Sequence, residues 1–267
     1  MRGIVIAAGP GSRMGAYAED RPKCLLPIAG RPMLEWTIEN LRAAGCDELV
    51  IVAGHRAEMI RVPDARIVVN EDWRDTNILH SLMTARAYLK GPVMVTYSDI
   101  WVESSIYRRL SETPGDIVLV VDRDWQAYYE GRTRHPIPEA ENVLFDDDGA
   151  LADIGKHLDP AQTKGLNCGE FLGLWRMTAN GVRRFHDLFG ELDARLAADA
   201  PFQQASHWKK AYITDIVQEL VDRGEPVQCA VIERGWAELD TEQDYDRLME
   251  IAERQRLWTL CGGRPGE

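Results

Sequence analysis

Short apolar runs closed by glycine or by an acid recur along this chain, and between several of them an apolar residue returns every third or fourth position. Ile4 to Ala8 closes on Gly9, Pro10 and Gly11. Leu49 to Ala53 closes on Gly54, Ile67 to Val69 and Val93 to Tyr97 follow, and Ile117 to Val121 closes on Asp122. Runs so short and so uniformly apolar predict strands buried on both faces. Leu34, Ile38 and Leu41 predict a helix over Pro32 to Ala44, ended by Gly45, and Ile78, Leu82, Ala85 and Leu89 predict another over Asn77 to Leu89. Strands alternating with helices imply an α/β fold with parallel pairing and helices on both faces of the sheet.

In the second half, Val143 to Phe145 and Leu151 to Ile154 flank an acidic turn, Asp146 to Gly149, and predict a β-hairpin followed by Lys156. Phe171 to Trp175 predicts a strand, and Thr178 caps a helix carrying Val182, Phe185 and Phe189. A helix with Ile213, Ile216, Val217, Leu220 and Val221 leads to a strand over Val227 to Ile232. Thr241 and Asp244 stand at capping-box spacing before the last helix. Asp124 to Pro138 has no usable period and reads as a loop or lid. The expected organisation is one domain over 1–255, with a lid and acceptor region at about 123–170, and a tail over 256–267 whose end, CGGRPGE, is expected to be disordered.

With 267 residues and 45% hydrophobic content the chain can bury one large core. A formal net charge of −12 argues against binding a nucleic-acid backbone, so any nucleotide is expected to be small. Five scattered cysteines without a CxxC pair give neither a disulfide framework nor a zinc site. No run approaches the roughly 18 apolar residues that span a bilayer, so a soluble cytoplasmic protein without membrane partners is expected. The oligomeric state is left open, with a homodimer as the candidate.

The first strand feeds Gly9, Gly11, Ser12 and Arg13, and Lys23 follows. A glycine-rich turn after a buried strand brings backbone N–H groups close to phosphate oxygens, and Arg13 and Lys23 supply the charge those oxygens need. The GxxxxGK[ST] loop is absent. The dinucleotide pattern GxGxxG fits only loosely, with Gly15 one residue late and Gly54-His55 where an acid is wanted. A plain tight turn is the remaining reading.

AAGPGSRMG followed by RPKCLLPIAGRPMLEW closely resembles the opening of the nucleotidyltransferases that include sugar-nucleotide pyrophosphorylases. Thr76-Asn77-Ile78 with Ser81-Leu82, then Tyr212 to Asp215, then Gly235 to Asp240 with Asp244-Tyr245 narrow the resemblance toward CTP:phosphocholine and phosphonate cytidylyltransferases. The resemblance implies a Rossmann-like three-layer α/β/α fold with a mostly parallel central sheet and a small hairpin and lid excursion. It implies Mg²⁺-dependent transfer of CMP from CTP to a small phosphate or phosphonate acceptor. Sugar-1-phosphate transfer from UTP, dTTP or GTP is the alternative, and a silent regulatory module the alternative from another class.

On that reading Ala7, Ala8, Gly9, Gly11 and Ser12 cradle the triphosphate, Arg13 meets the β- and γ-phosphates, and Lys23 meets the α-phosphate and the acceptor. Asp99 and Asp240 are the metal ligands, although a strand-end turn former and a helix N-cap are their plain readings. Gly54, Asn77 and Ser81 bound the base, and NILHS in place of a glutamine and a GTA-like stretch tilts the expectation toward CTP. Lys156 meets the acceptor's phosphate and Glu170 its distal part. Trp125 and Tyr129 suit a quaternary ammonium through cation–π attraction, whereas Arg132 and His135 suit a second anion; a loop pinned by its own aromatics is the plain reading.

Overall fold

The computed structural model describes residues 1–135, 137–156, 158 and 165–253; the expected tail lies outside the described residues. The strands are β1 (Arg2–Ala7), β2 (Pro27–Ile28), β3 (Arg31–Pro32), β4 (Glu48–Ala53), β5 (Ala65–Val69), β6 (Val93–Tyr97) and β7 (Ile100–Val102), then β8 (Ile117–Asp122), β9 (Glu141–Phe145), β10 (Leu151–Lys156), β11 (Asn167–Met177), β12 (Gln228–Ile232) and β13 (Trp236–Glu238). The helices are α1 (Met33–Ala43), α2 (Ile78–Thr84), α3 (Ser104–Glu112), α4 (Trp125–Tyr128), α5 (Ala179–Arg195), α6 (Ile213–Asp222) and α7 (Glu242–Glu253). Among the described residues no helix is long and apolar enough to cross a membrane.

A nine-stranded sheet carries the molecule. Strands β5, β4, β1 and β6 lie side by side and parallel. Strand β11 runs antiparallel to β6, β8 and β9, β12 lies parallel to β8, and β10 folds back on β9. Only β10 and β11 therefore run against the shared direction. Successive residues of each parallel strand feed opposite faces. Ile4, Ile6, Val50, Val52, Leu119 and Val121 enter one core with residues of α2, α5 and α6. Val5, Ala7, Ile51, Ala53, Val118 and Val120 enter the other with residues of α1, α3 and α4. Burial on both faces is why these strands read as unbroken apolar runs rather than alternating ones.

The differences from the sequence reading lie in short or composite elements. Helix α2 stops at Thr84, and a 3-10 turn over Arg86–Tyr88 replaces the rest of the expected helix. Strand β11 runs from Asn167 to Met177, past both ends of Phe171 to Trp175, because its first half pairs with β9 and its second with β6. Strand β7 and helix α3 are additional, and the expected lid contains α4. The expected capping box is present: Thr241 N donates to Asp244 at 2.9 Å, and Asp244 N donates to the Thr241 hydroxyl at 3.3 Å.

One small ribbon decides where the chemistry sits. Strand β13 pairs antiparallel with β7, with Glu238 opposite Ile100, and Leu239 N donates to the Asp99 carbonyl at 2.7 Å. Leu239 is fully buried beside Met14, Trp36 and Trp101. Acids on either side of that anchor, Glu238 and Asp240, are thereby carried to the end of β6 where Asp99 stands.

Candidate active site

The carboxyl ends of β1 and β6 open onto a cleft of about 370 Å³ lined by residues 8–13, Lys23, Ser81, Asp99, Lys156, Glu170 and Asp240 among others. Such an edge is where open α/β sheets bind ligands. Gly11 adopts a left-handed conformation, φ 64°, and a Cβ there would stand 3.2 Å from the Lys23 side chain. The glycine thus permits both the turn and the close passage of the lysine stem. Gly54 works behind the wall: a Cβ would lie 2.6 Å from the Ala8 carbonyl and 2.8 Å from Trp73, and His55 N donates to that carbonyl at 3.0 Å. Ala7 is a buried strand end, so Ala7 and Gly54 shape the loop without facing the cleft, whereas Ala8, Gly9, Gly11, Ser12 and Arg13 line it.

Lys23 joins two carboxylates that are 141 positions apart in sequence, since 240 − 99 = 141. Its Nζ lies 2.5 Å from Asp99 and 3.4 Å from Asp240. Burial opposes the ammonium charge, but Asp99 and then Asp240 outweigh it and hold the lysine pKa above its ordinary value. Asp240 also receives Arg13 at 2.6 Å and His135 Nδ1 at 2.7 Å. Burial raises the Asp240 pKa, but the His135 hydrogen bond and the charges of Lys23 and Arg13 reverse this and hold it well below the carboxylate range. Asp240 is therefore an ionised carboxylate in a buried cationic cluster and not the N-cap of α7. His135, Glu238 and Asp240 bring one ligand atom each within 4.8 Å of one another. Hard carboxylate oxygens from Asp99 and Asp240, converging on one cation, fit a magnesium ion that keeps several oxygens from phosphate or water.

On the α2 side, Asn77 is held by the chain opposite: its Nδ2 donates to the Lys210 carbonyl at 3.1 Å and its N–H to that of Lys209 at 3.0 Å. Ser81 is buried at the cleft wall and accepts from Asn70 Nδ2 at 3.0 Å. Trp73 and Thr76 complete this wall.

The acceptor side holds the largest departures from the sequence reading. Trp125 is 2% exposed, packs edge-on against Tyr129 and does not reach the cleft, which corrects the aromatic-cage expectation. Arg132 also lies behind the wall. Its guanidinium pairs with Asp244 at 2.7 Å and Glu238 at 3.0 Å and covers the rings of Tyr128 and Tyr129, its Nη1 is without a partner among the described residues, and it does not line the cleft. His135 faces the cleft but is committed to Asp240. Tyr129 reaches the cleft through its hydroxyl, which donates to Glu170 Oε1 at 2.6 Å. Glu170 Oε2 is buried without a partner among the described residues. Burial raises the Glu170 pKa far above the carboxylate range against that hydrogen bond. Lys156 lines the cleft, 3.1 Å from Glu139 and over the Tyr212 ring.

Glu141 and Glu238, which sequence reasoning missed, stand in the same wall. Burial, partly countered by Lys156, pushes the Glu141 pKa up to about 7. Burial and then the Asp240 charge raise that of Glu238. Register brings these acids together: Glu170 pairs with Asn142, the residue after Glu141, and Glu238 arrives on the β7–β13 ribbon. The only local signal available was the acid in WAELD.

A family profile described as the MobA-like NTP transferase domain matches residues 3–238. CTP:phosphoglutamine cytidylyltransferase of Campylobacter jejuni is 22% identical, over 94% of this chain and 100% of its own length. CMP-5'-(3-aminopropyl)phosphonate synthase of Streptomyces rubellomurinus is 32% identical over 83% of this chain, and the match spans only 37% of that relative. Among solved structures, the CTP:phosphocholine cytidylyltransferase of Streptococcus pneumoniae superposes with a TM-score of 0.66 at 20% identity, covering 94% of this chain and 98% of that one. The same layered sheet and helices account for that superposition.

Proposed function

Because the chain belongs to the MobA-like NTP transferase family and is a nucleotidyltransferase, we propose that it transfers CMP from CTP to a small phosphate or phosphonate whose far end carries a primary ammonium, releasing pyrophosphate. The CTP part draws support from relatives whose names specify CTP or a CMP product. The ammonium part rests on one observation, the buried and unpartnered Glu170 Oε2 facing a cleft that Glu141 and Glu238 also line. A buried carboxyl ionises when an N–H donor reaches its unpaired oxygen, and a primary ammonium has that donor whereas a trimethylammonium lacks it. Arg132 already lies over the rings of Tyr128 and Tyr129.

The chain's own groups then divide the work of an in-line displacement at the α-phosphorus. Backbone N–H groups of Ala8, Gly9, Gly11 and Ser12, together with Arg13, hold the β- and γ-phosphates, Lys23 spans the α-phosphate and the acceptor oxygen, and Lys156 meets the acceptor's phosphoryl group. Their contribution is alignment of two anions and compensation of the charge that builds up between them. Asp99 and Asp240 would hold magnesium, which when bound withdraws charge from phosphate oxygens.

Pyrophosphate release is the test, with CTP or UTP against 2-aminoethylphosphonate, 2-hydroxyethylphosphonate, phosphocholine and glucose 1-phosphate. Fastest release is expected with CTP and 2-aminoethylphosphonate. Glu170→Gln should raise the KM of that acceptor roughly ten-fold while leaving the KM for CTP unchanged. Release only with UTP and glucose 1-phosphate would overturn the reading, and an equal rate with the hydroxyl analogue would remove the ammonium.

A further inference from the structure

We propose that Asn70 is a positioning residue that makes the site prefer cytosine to uracil by fixing the direction of the Ser81 hydroxyl; this rests on the cytidylyl-transfer reading above. Asn70 follows β5 and is 4% exposed. Its backbone N–H donates to the Ala53 carbonyl at 2.8 Å, which ties it to the end of β4. Its side-chain carbonyl accepts from Asp72 N at 3.1 Å. Its amide nitrogen therefore faces the other way, donating to Thr76 Oγ1 at 2.9 Å and Ser81 Oγ at 3.0 Å. Thr76 fixes that orientation from the other side. Its hydroxyl proton goes to the Asp72 carbonyl at 2.9 Å, so its oxygen must accept, and only an N–H can supply the proton.

Ser81 is thus left with its own proton to give. It is 5% exposed, lines the cleft, and its hydroxyl has no acceptor among the hydrogen bonds of the described residues. A buried hydroxyl that already accepts a strong N–H presents a donor to whatever occupies the cleft. Cytosine offers an acceptor at ring nitrogen N3, and uracil carries a hydrogen at the same place. With uracil the serine oxygen can accept that N–H on its second lone pair, but its own proton is then left without an acceptor, a costly arrangement in a buried site. Asn70 touches no base, yet it decides which one the serine can meet.

Asn70→Asp keeps the shape and reverses the direction. A carboxylate still accepts from Asp72 N, but it would take the Ser81 proton instead of donating one, leaving the serine oxygen to accept from a base N–H. Calorimetric titration of CTP and UTP into wild type, Asn70→Asp and Ser81→Ala tests this without knowledge of the acceptor, with melting curves to verify folding. Wild type should bind CTP at least roughly ten-fold tighter than UTP. Asn70→Asp should move that ratio at least ten-fold toward UTP, and Ser81→Ala should bring it near one. Equal binding of both nucleotides by wild type would overturn the inference, as would a wild-type ratio retained in folded Asn70→Asp. Should Asn70→Asp fail to fold, the Ser81→Ala ratio decides. Absence of pyrophosphate release across the acceptor panel would sink the proposed function alone, because the binding ratios remain measurable.

Discussion

The two walls of the cleft are built by opposite means. On the α2 side neutral groups pair with one another: Asn70 serves Thr76 and Ser81, and Asn77 is tied to the backbone at residues 209 and 210. On the opposite side acids from three strands crowd together, Glu141 on β9, Glu170 on β11 and Glu238 on β13, all pushed toward the protonated form by burial. A wall of satisfied dipoles holds its shape with or without a ligand. A wall of buried acids held toward their protonated form ionises when a cation arrives. On the function proposed above, the contrast separates recognition of the nucleotide from recognition of the acceptor, with Lys23 serving both.

The largest effect should therefore follow from removing Lys23. Lys23→Ala takes away the ammonium that Asp99 and Asp240 share, and with it the charge expected to meet both the α-phosphate and the acceptor. Turnover measured by pyrophosphate release should fall roughly hundred- to thousand-fold, with KM for CTP and for the acceptor both raised. A loss below ten-fold, or one confined to either substrate, would break the picture of a shared centre.

The nucleotide wall was the more legible of the two in sequence for the same reason that it is rigid. Its loop, Lys23 and the segment from Asn77 to Ser81 are contiguous stretches whose spacing survives folding, and the apolar strands that present them are buried on both faces. What stayed hidden depended on register. Strand β7 follows Asp99 with no turn signal between, so the ribbon that brings Glu238 and Asp240 to Asp99 had no local signature. Glu141 reads as an ordinary charge at a strand start until β9 pairs with β11. Trp125 and Arg132 misled because composition places an aromatic and a cation in a loop but does not say which way they turn; here they face each other's neighbours across Tyr129.

The next effect is one of pH and belongs to the acceptor wall alone. Glu141 faces Lys156, Glu238, Asp215 and Tyr97, and its pKa of about 7 means that it becomes charged as pH rises through neutrality. An ammonium acceptor binds the charged form better, so its KM should fall several-fold between pH 6 and 8 while the KM for CTP keeps its own profile. The acceptor's own ionisation contributes equally in Glu141→Gln, so the difference between the two acceptor profiles isolates this carboxyl. Its effect on folding has the opposite sign. The folded pKa lies above the unfolded value of about 4.3, so the folded state holds the extra proton. That stability is fully present below about 4.3 and lost as pH rises through about 7. Glu141→Gln should therefore flatten the fall in melting temperature between about pH 4.3 and 7. Matching acceptor profiles in wild type and variant would take Glu141 out of the site.

The smallest effect is expected where the sequence reading placed a ligand-binding indole. Trp125 packs against Tyr129 behind the acceptor wall, so Trp125→Phe removes buried volume without removing a contact to any acceptor. It should cost about 1–3 kcal/mol of stability, read as a lower denaturation midpoint. The ratio of kcat/KM between 2-aminoethylphosphonate and phosphocholine should stay within two-fold of wild type. A change confined to phosphocholine would put the indole back in the cleft, and the acceptor wall would then recognise its cation by aromatic faces as well as by carboxylates.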